Sequence, residues 1–442
     1  MNKVEEYLNS HELSEIHPSD IAKILKELDE SELAAAIKLI PKDIIGDVAL
    51  AAPDRYFDDI VESLSIDELS LAVSELESDD QANFMQELEE LDEHVASKVF
   101  KNLNREDQVD IARLQNYEDF EAGAYMQTEV FTAHKSEIVQ DVVSRFSHLR
   151  KLNELENVQN LFITQKDDKL VYAIGLDDLL TFDFSKTLTQ NIKESGKNFE
   201  PKKAHDREDI KEVVHYFEEY DLSVLAVTNA YGVLLGRITS DDIYDIINEH
   251  ATEQMYNLAG VDDEAEEDDE IIKAGRKRAT WLGLNLFTAI AASVVIGIFA
   301  DTLESMVALA VLMPIVASMG GNAGTQSLTV VVRQLALGDI SKGDAQRIIK
   351  KELAIAIGNG FLFALLMGAI AYVWFGMWML GLVIALSMII NLFMAGFFGA
   401  TIPLFLKKMD VDPAIGSTVI LTTVTDVVGF FSFLGLATWI LI

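Results

Sequence analysis

Residues 414–440 read AIGSTVILTTVTDVVGFFSFLGLATWI, and this stretch decides the architecture. It is apolar over more than the roughly 20 helical residues needed to cross a hydrocarbon layer of about 30 Å. Yet it carries a carboxylate, Asp426, twelve residues after Ala414 and sixteen before Ile442. A carboxylate at that depth costs about 2.5–3.5 kcal/mol on insertion scales unless it faces water or a cation. Thr418, Thr422 and Thr425 precede it within two turns, read as lying on the same side of a helix and supplying hydroxyls. The pattern predicts a span that lines a cation path, with Asp426, Thr422 and Thr418 as its oxygen donors.

Four further apolar segments lie upstream, at about 281–300, 306–335, 353–376 and 381–406. Lys273, Arg276, Lys277 and Arg278 precede the first, Lys342, Arg347, Lys350 and Lys351 separate the second from the third, and Lys407 and Lys408 follow the fourth. The connections Asp301 to Ser305 and Phe375 to Leu380 contain no Lys or Arg. The positive-inside rule then predicts five crossings of the cell membrane, with the N-terminus cytoplasmic and the C-terminus outside. The polar, acidic opening Met1 to Asp20 lacks the apolar core of a signal peptide, in keeping with that orientation. In the second segment, MGGNAGTQ (319–326) follows Pro314, a small-residue run that lets helices approach closely or the backbone open. Asn322, Thr325 and Gln326 offer uncharged oxygens suited to hard cations, so Asn322 joins the pore candidates. Five helices make a small bundle for a pathway, which points to a pore between the subunits of a homodimer.

Charge divides the chain in two. Of its 442 residues, 72 are Asp or Glu and 35 Lys or Arg. From Lys273 onward there are 11 basic and 8 acidic residues, which leaves 24 and 64 for the part before it. So acidic a surface repels phosphate backbones and attracts cations, which excludes nucleic acid as a natural partner. The absence of cysteine removes disulfides, thiolate metal sites and cysteine nucleophiles. No HExxH, Walker-type loop or Gly-x-Ser-x-Gly is present, so the chain does not read as an enzyme.

Residues 1–120 read as short amphipathic helices, with a 36-residue echo in which Leu33, Ala36, Ile37, Ile40 and Asp43 return as Leu69, Ala72, Val73, Leu76 and Asp79. Beyond Gly123, strand and helix alternate. Leu161–Gln165 and Lys169–Leu176 lead to a helix near Asp177, and Leu225–Thr228 and Val233–Thr239 lead to a helix from Ser240. The pairing resembles tandem CBS domains, whose second strand runs into a Thr/Ser-x-x-Asp. That resemblance implies a ribose-binding role for Thr239 and Asp242, and hence ATP as a possible ligand; an ordinary helix cap reads equally from the same residues. A helical linker runs to Gly260, and an acidic run, 262–270, follows it as a solvated tether.

Taken in chain order, His17-Pro-Ser-Asp-Ile-Ala22, Tyr117 to Met126, Ala251-Thr-Glu253, Gly320 to Gln326, Val411-Asp-Pro-Ala414 and Thr425-Asp-Val-Val-Gly429 resemble the MgtE family of magnesium channels over nearly the whole length. The resemblance implies a multidomain membrane protein. Its parts are an α-helical N-terminal superhelix (1–122), tandem CBS α/β domains (123–247), a connecting plug-like helix with an acidic linker (248–275) and a five-helix transmembrane domain (276–442). It implies a homodimer in the lipid bilayer whose two Asp426 carboxylates hold Mg2+ in the pore. It also implies regulatory Mg2+ at Asp412, Glu253, Glu249, Asp245, Asp242, Asp221 and Asp67, closing the pore when internal Mg2+ is high. Lys211 and His250 stand where acids are expected, and Leu71 replaces one of a pair with Asp67. A carrier for Co2+ or Mn2+ is the alternative within transport, since such ligands discriminate poorly among divalent ions. A nucleotide sensor with a mere membrane anchor would have no use for Asp426.

Overall fold

A computed structural model describes residues 3–10, 16–152, 155, 157–261, 271–336, 340, 344–409 and 411–442. The acidic run 262–270 and Lys342, used above for linker and topology, lie outside the described residues. The chain forms two units, one ending at Asn248 and one beginning at Glu249.

The first unit opens with short helices from Lys3–Ser10 to Arg105–Leu114. Their starts follow local chemistry. The His17 ring accepts from the Ser19 amide ahead of Pro18, and Ser65 and Glu68 form a reciprocal capping box. Both halves of the 36-residue echo bury the same positions in one core: Leu33, Ala36, Ile37 and Ile40, then Leu69, Ala72, Val73 and Leu76. The echoed acids diverge, because Asp43 is exposed whereas Asp79 is only 5% exposed. The Tyr117–Met126 motif is a joint. The Gly123 Cα leaves room for the Tyr117 ring, which a Cβ would meet at 2.5 Å, and the Tyr117 hydroxyl donates to Asp206 at 3.0 Å.

Two three-stranded sheets follow. β1 (Thr132–His134), β2 (Asn160–Thr164) and β3 (Leu170–Gly175) pair in that order, parallel and then antiparallel, and β4 (Lys203–His205), β5 (Val224–Thr228) and β6 (Leu234–Thr239) repeat the arrangement. Asn160 faces Gly175 and Val224 faces Thr239, and both copies carry a register irregularity at the end of the central strand. The short edge strands β1 and β4 escaped the sequence reading because three residues give no measurable alternation.

Among its described residues the second unit has five apolar helices long enough to cross a membrane: Ala274–Ile298, Val307–Ala336, Ala345–Phe375, Trp378–Lys408 and Ser417–Leu441. The fourth is the most buried of the five and the first the most exposed. The structure moves one predicted boundary and refines two further readings. The third helix starts eight residues before 353, which brings Glu352 inside it. The connection Asp301 to Ser305 is itself helical (Ala300–Ser305). The run 319–326 is unbroken helix, its small residues serving close approach: at Gly399 on the fourth span a Cβ would lie 2.7 Å from the Gly324 carbonyl of the second.

Candidate functional site

Asp426 sits midway along the fifth span, half-buried, and among the described residues no donor or cation partners its carboxylate. Thr422 and Thr418, one and two turns earlier, are half-buried on the same side. The Thr422 hydroxyl donates to the Thr418 carbonyl at 3.0 Å, leaving its own lone pairs free. Thr418 donates to the Leu258 carbonyl at 3.0 Å, tying the C-terminal end of the linker helix (Ser240–Ala259) to the span. Thr425 departs from expectation. It is fully buried, turned into the bundle, and donates to the Thr422 carbonyl at 3.1 Å. Asn322 is exposed on the second span, its amide 3.4 Å from the Ser318 hydroxyl, and no hydrogen bond joins it to Asp426 among the described residues.

Asp426 is not the lone acid of the spans. Glu352 is 6% exposed in the third helix and accepts from the Ser327 hydroxyl of the second. Its position beside Lys350 and Lys351 made it read as part of a cytoplasmic loop; its near-periodic register with Ala356 and Gly360 was the available signal.

The first unit concentrates charge where the helical region meets the second CBS copy. Asp79 is 5% exposed, and burial together with the Asp242 and Asp80 charges pushes its carboxyl well above the usual range. Burial, then Asp242, raises Asp80 to about 7; burial also raises Glu77 to about 7, against the pull of Arg237. Asp242 is raised by burial as well, although the Thr239 hydroxyl donates to it at 2.6 Å. The Arg237 guanidinium lies here, 2% exposed; its Nε donates to Gln127 at 3.1 Å, and a terminal nitrogen lies 3.7 Å from Glu77. Burial and mutual repulsion thus favour the protonated form of these carboxyls. The sequence pairs Asp79 with Asp43 in the echo, and only tertiary packing distinguishes it from that exposed counterpart.

The remaining acids fall elsewhere. Asp245, Glu249 and Glu253 follow Asp242 at intervals that place all four on one side of the linker helix, and Glu253 meets His250 at 3.2 Å. Asp412 accepts from the Ala414 amide at 2.7 Å in the turn before the fifth span. Asp221 is exposed and left-handed (φ 50°), capping the helix Ile210–Tyr220, and exposed Asp67 accepts from Asn102 at 3.3 Å. Among the described residues no three His, Asp or Glu side chains are grouped so as to hold a metal ion. Thr239 is 1% exposed and engaged with Asp242, the arrangement of a helix start.

A multi-pass membrane bundle with a carboxylate at mid-span, joined to paired CBS sheets and an acidic helical region, defines a transport protein for cations. Residues 313–436 match the MgtE family, described as divalent cation transporters, and residues 16–119 match the MgtE intracellular N domain. The chain is 29% identical to the magnesium transporter MgtE of Bacillus subtilis over 436 residues, covering 96% of this chain and 92% of that protein. It is 28% identical to that of Thermus thermophilus over 441 residues, covering 96% and 93%. A crystal structure of the cytosolic domain of the Mg2+ channel MgtE in complex with ATP aligns with 55% of this chain and 98% of its own, at 24% identity and a TM-score of 0.49. This chain belongs to the MgtE family.

Proposed function

We propose that the protein is a Mg2+-selective channel that admits magnesium across the cell membrane and is shut by Mg2+ on its cytosolic face. The observation that carries this reading is the unpartnered, half-buried Asp426 with Thr422 and Thr418 along one side of the fifth span. Mg2+ gives up its water reluctantly and is held best through its hydration shell by one or two carboxylates. In a homodimer with the pore between the subunits, two Asp426 side chains about one hydrated ion apart attract a divalent ion far more than a monovalent one. The N-terminus lies in the cytosol and the C-terminus outside, which sets the acidic unit in the compartment whose Mg2+ it senses.

For the gate, Asp79, Asp80, Glu77 and Asp242 are candidate oxygen donors whose carboxyls must draw together before they share a regulatory Mg2+. The linker-face acids Asp245, Glu249 and Glu253, with Asp412, Asp221 and Asp67, offer further binding positions. Bound ions offset repulsion among these acids and hold the gate closed; at low Mg2+ the repulsion opens it. ATP binding by the CBS pair at Thr239 and Asp242 requires the Thr239 contact to open.

The test is uptake into proteoliposomes containing the full chain. Mg2+ entry that exceeds Na+ entry, and that falls when Mg2+ is presented to the acidic unit's side, is expected. Entry unaffected by Mg2+ on that side would remove the gate, and no Mg2+ entry at all would remove the channel.

A further inference from the structure

A fully enclosed polar side chain of the second unit lies in none of the predicted sites. Asn391, in the central fourth span, is fully buried. Its Nδ2 donates to the Val316 carbonyl of the second span at 2.8 Å, while its Oδ1 is buried without a partner among the described residues. Glycines accept this amide on two sides. A Cβ built at Gly320 would stand 2.3 Å from Nδ2, and one at Gly429 would stand 2.9 Å from it. One turn earlier Ser387 meets Ser432 of the fifth span at 3.3 Å, continuing the same seam.

These slots belong to the two elements that carry the pore candidates. Gly429 follows Asp426 by three residues, a rise of about 4.5 Å, and Gly320 precedes Asn322 by two. The amide therefore fixes height and rotation on both helices within a turn of those residues. A buried polar group at membrane depth is costly, and an apolar side chain of similar size would pack the same gap without that cost. Packing alone does not explain an asparagine here.

We propose that Asn391 is a positioning residue for ion passage: lodged between Gly320 and Gly429 and bonded to Val316, it sets the register of the second and fifth spans and so the placement of Asp426. This rests on the channel reading above. Function depends on placement at the sub-ångström level, so small register errors carry large effects.

The experiment measures Mg2+ uptake against concentration and thermal melting on the same full-length preparations. Asn391→Asp keeps the shape but loses the donor, and about a tenfold rise in half-saturating Mg2+ is expected. Gly320→Ala alone should reduce uptake by about tenfold, yet cause no further loss when added to Asn391→Ala, because the clash partner is gone. Half-saturation unchanged in Asn391→Asp, with only melting lowered, would overturn the inference in favour of simple bundle support. Equal harm from Gly320→Ala in both backgrounds would also overturn it. Absence of Mg2+ uptake by the wild type would instead strike the channel reading, while the same coupling read in melting temperatures still tests the slot geometry.

Discussion

A carboxylate in a membrane helix demands a reason, and the two found here have different ones. Glu352 is enclosed and receives the Ser327 hydroxyl, so it joins the second and third spans. Asp426 has no such partner among the described residues and remains half accessible. Glu352→Gln preserves an acceptor for Ser327 and should transport normally, whereas Ser327→Ala should lower stability by about 0.6–1.5 kcal/mol, read by thermal melting in detergent. Unchanged melting of Ser327→Ala would deny the bond its structural weight. Asp426 was legible in the sequence because it interrupts an otherwise apolar run. Glu352 was hidden because two lysines flank it, and Asn391 because a neutral amide leaves little trace in hydropathy.

At the scale of elements, the linker helix ends by leaving carbonyls without helical donors, and Thr418 supplies one to Leu258. Thr418→Val removes that donor. More internal Mg2+ should then be needed to suppress uptake, by about fivefold for a bond worth about 1 kcal/mol; an unchanged inhibition curve would detach the contact from gating. The joint holding Asp79, Asp80, Glu77 and Asp242 makes a second prediction. Glu77 and Asp80 are raised to about 7 in the folded chain, against about 4 unfolded. Their folded forms thus bind protons more tightly, so stability is highest at low pH and is lost as pH rises from about 4 through about 7. In chelator, melting of the first unit should fall over that range, and Mg2+ should flatten the fall by replacing the protons. A pH-independent transition in chelator would contradict the cluster's burial. Of this cluster only Asp242 was read from the linear sequence, since Asp43 and Asp79 occupy the same place in the 36-residue echo and differ only in what packs over them.

For the whole molecule, apolar length and charge placement were enough to give five spans and a separate acidic unit. Helix ends were less legible, because the third span continues through Lys350 and Lys351, whose long stems let charge reach water from within a helix. Orientation can be tested directly, since the chain has no cysteine. A single cysteine at Met377 should react with an impermeant maleimide from outside intact cells, and one at Val411 should react only after permeabilisation; the reverse pattern would invert the topology and place the acidic unit outside. The account as a whole turns on Asp426. Initial rates of Mg2+ entry into proteoliposomes should fall at least about a hundredfold in Asp426→Ala relative to wild type at equal incorporation, with Asp426→Glu retaining part of the flux. Wild-type rates in the alanine variant would contradict the account.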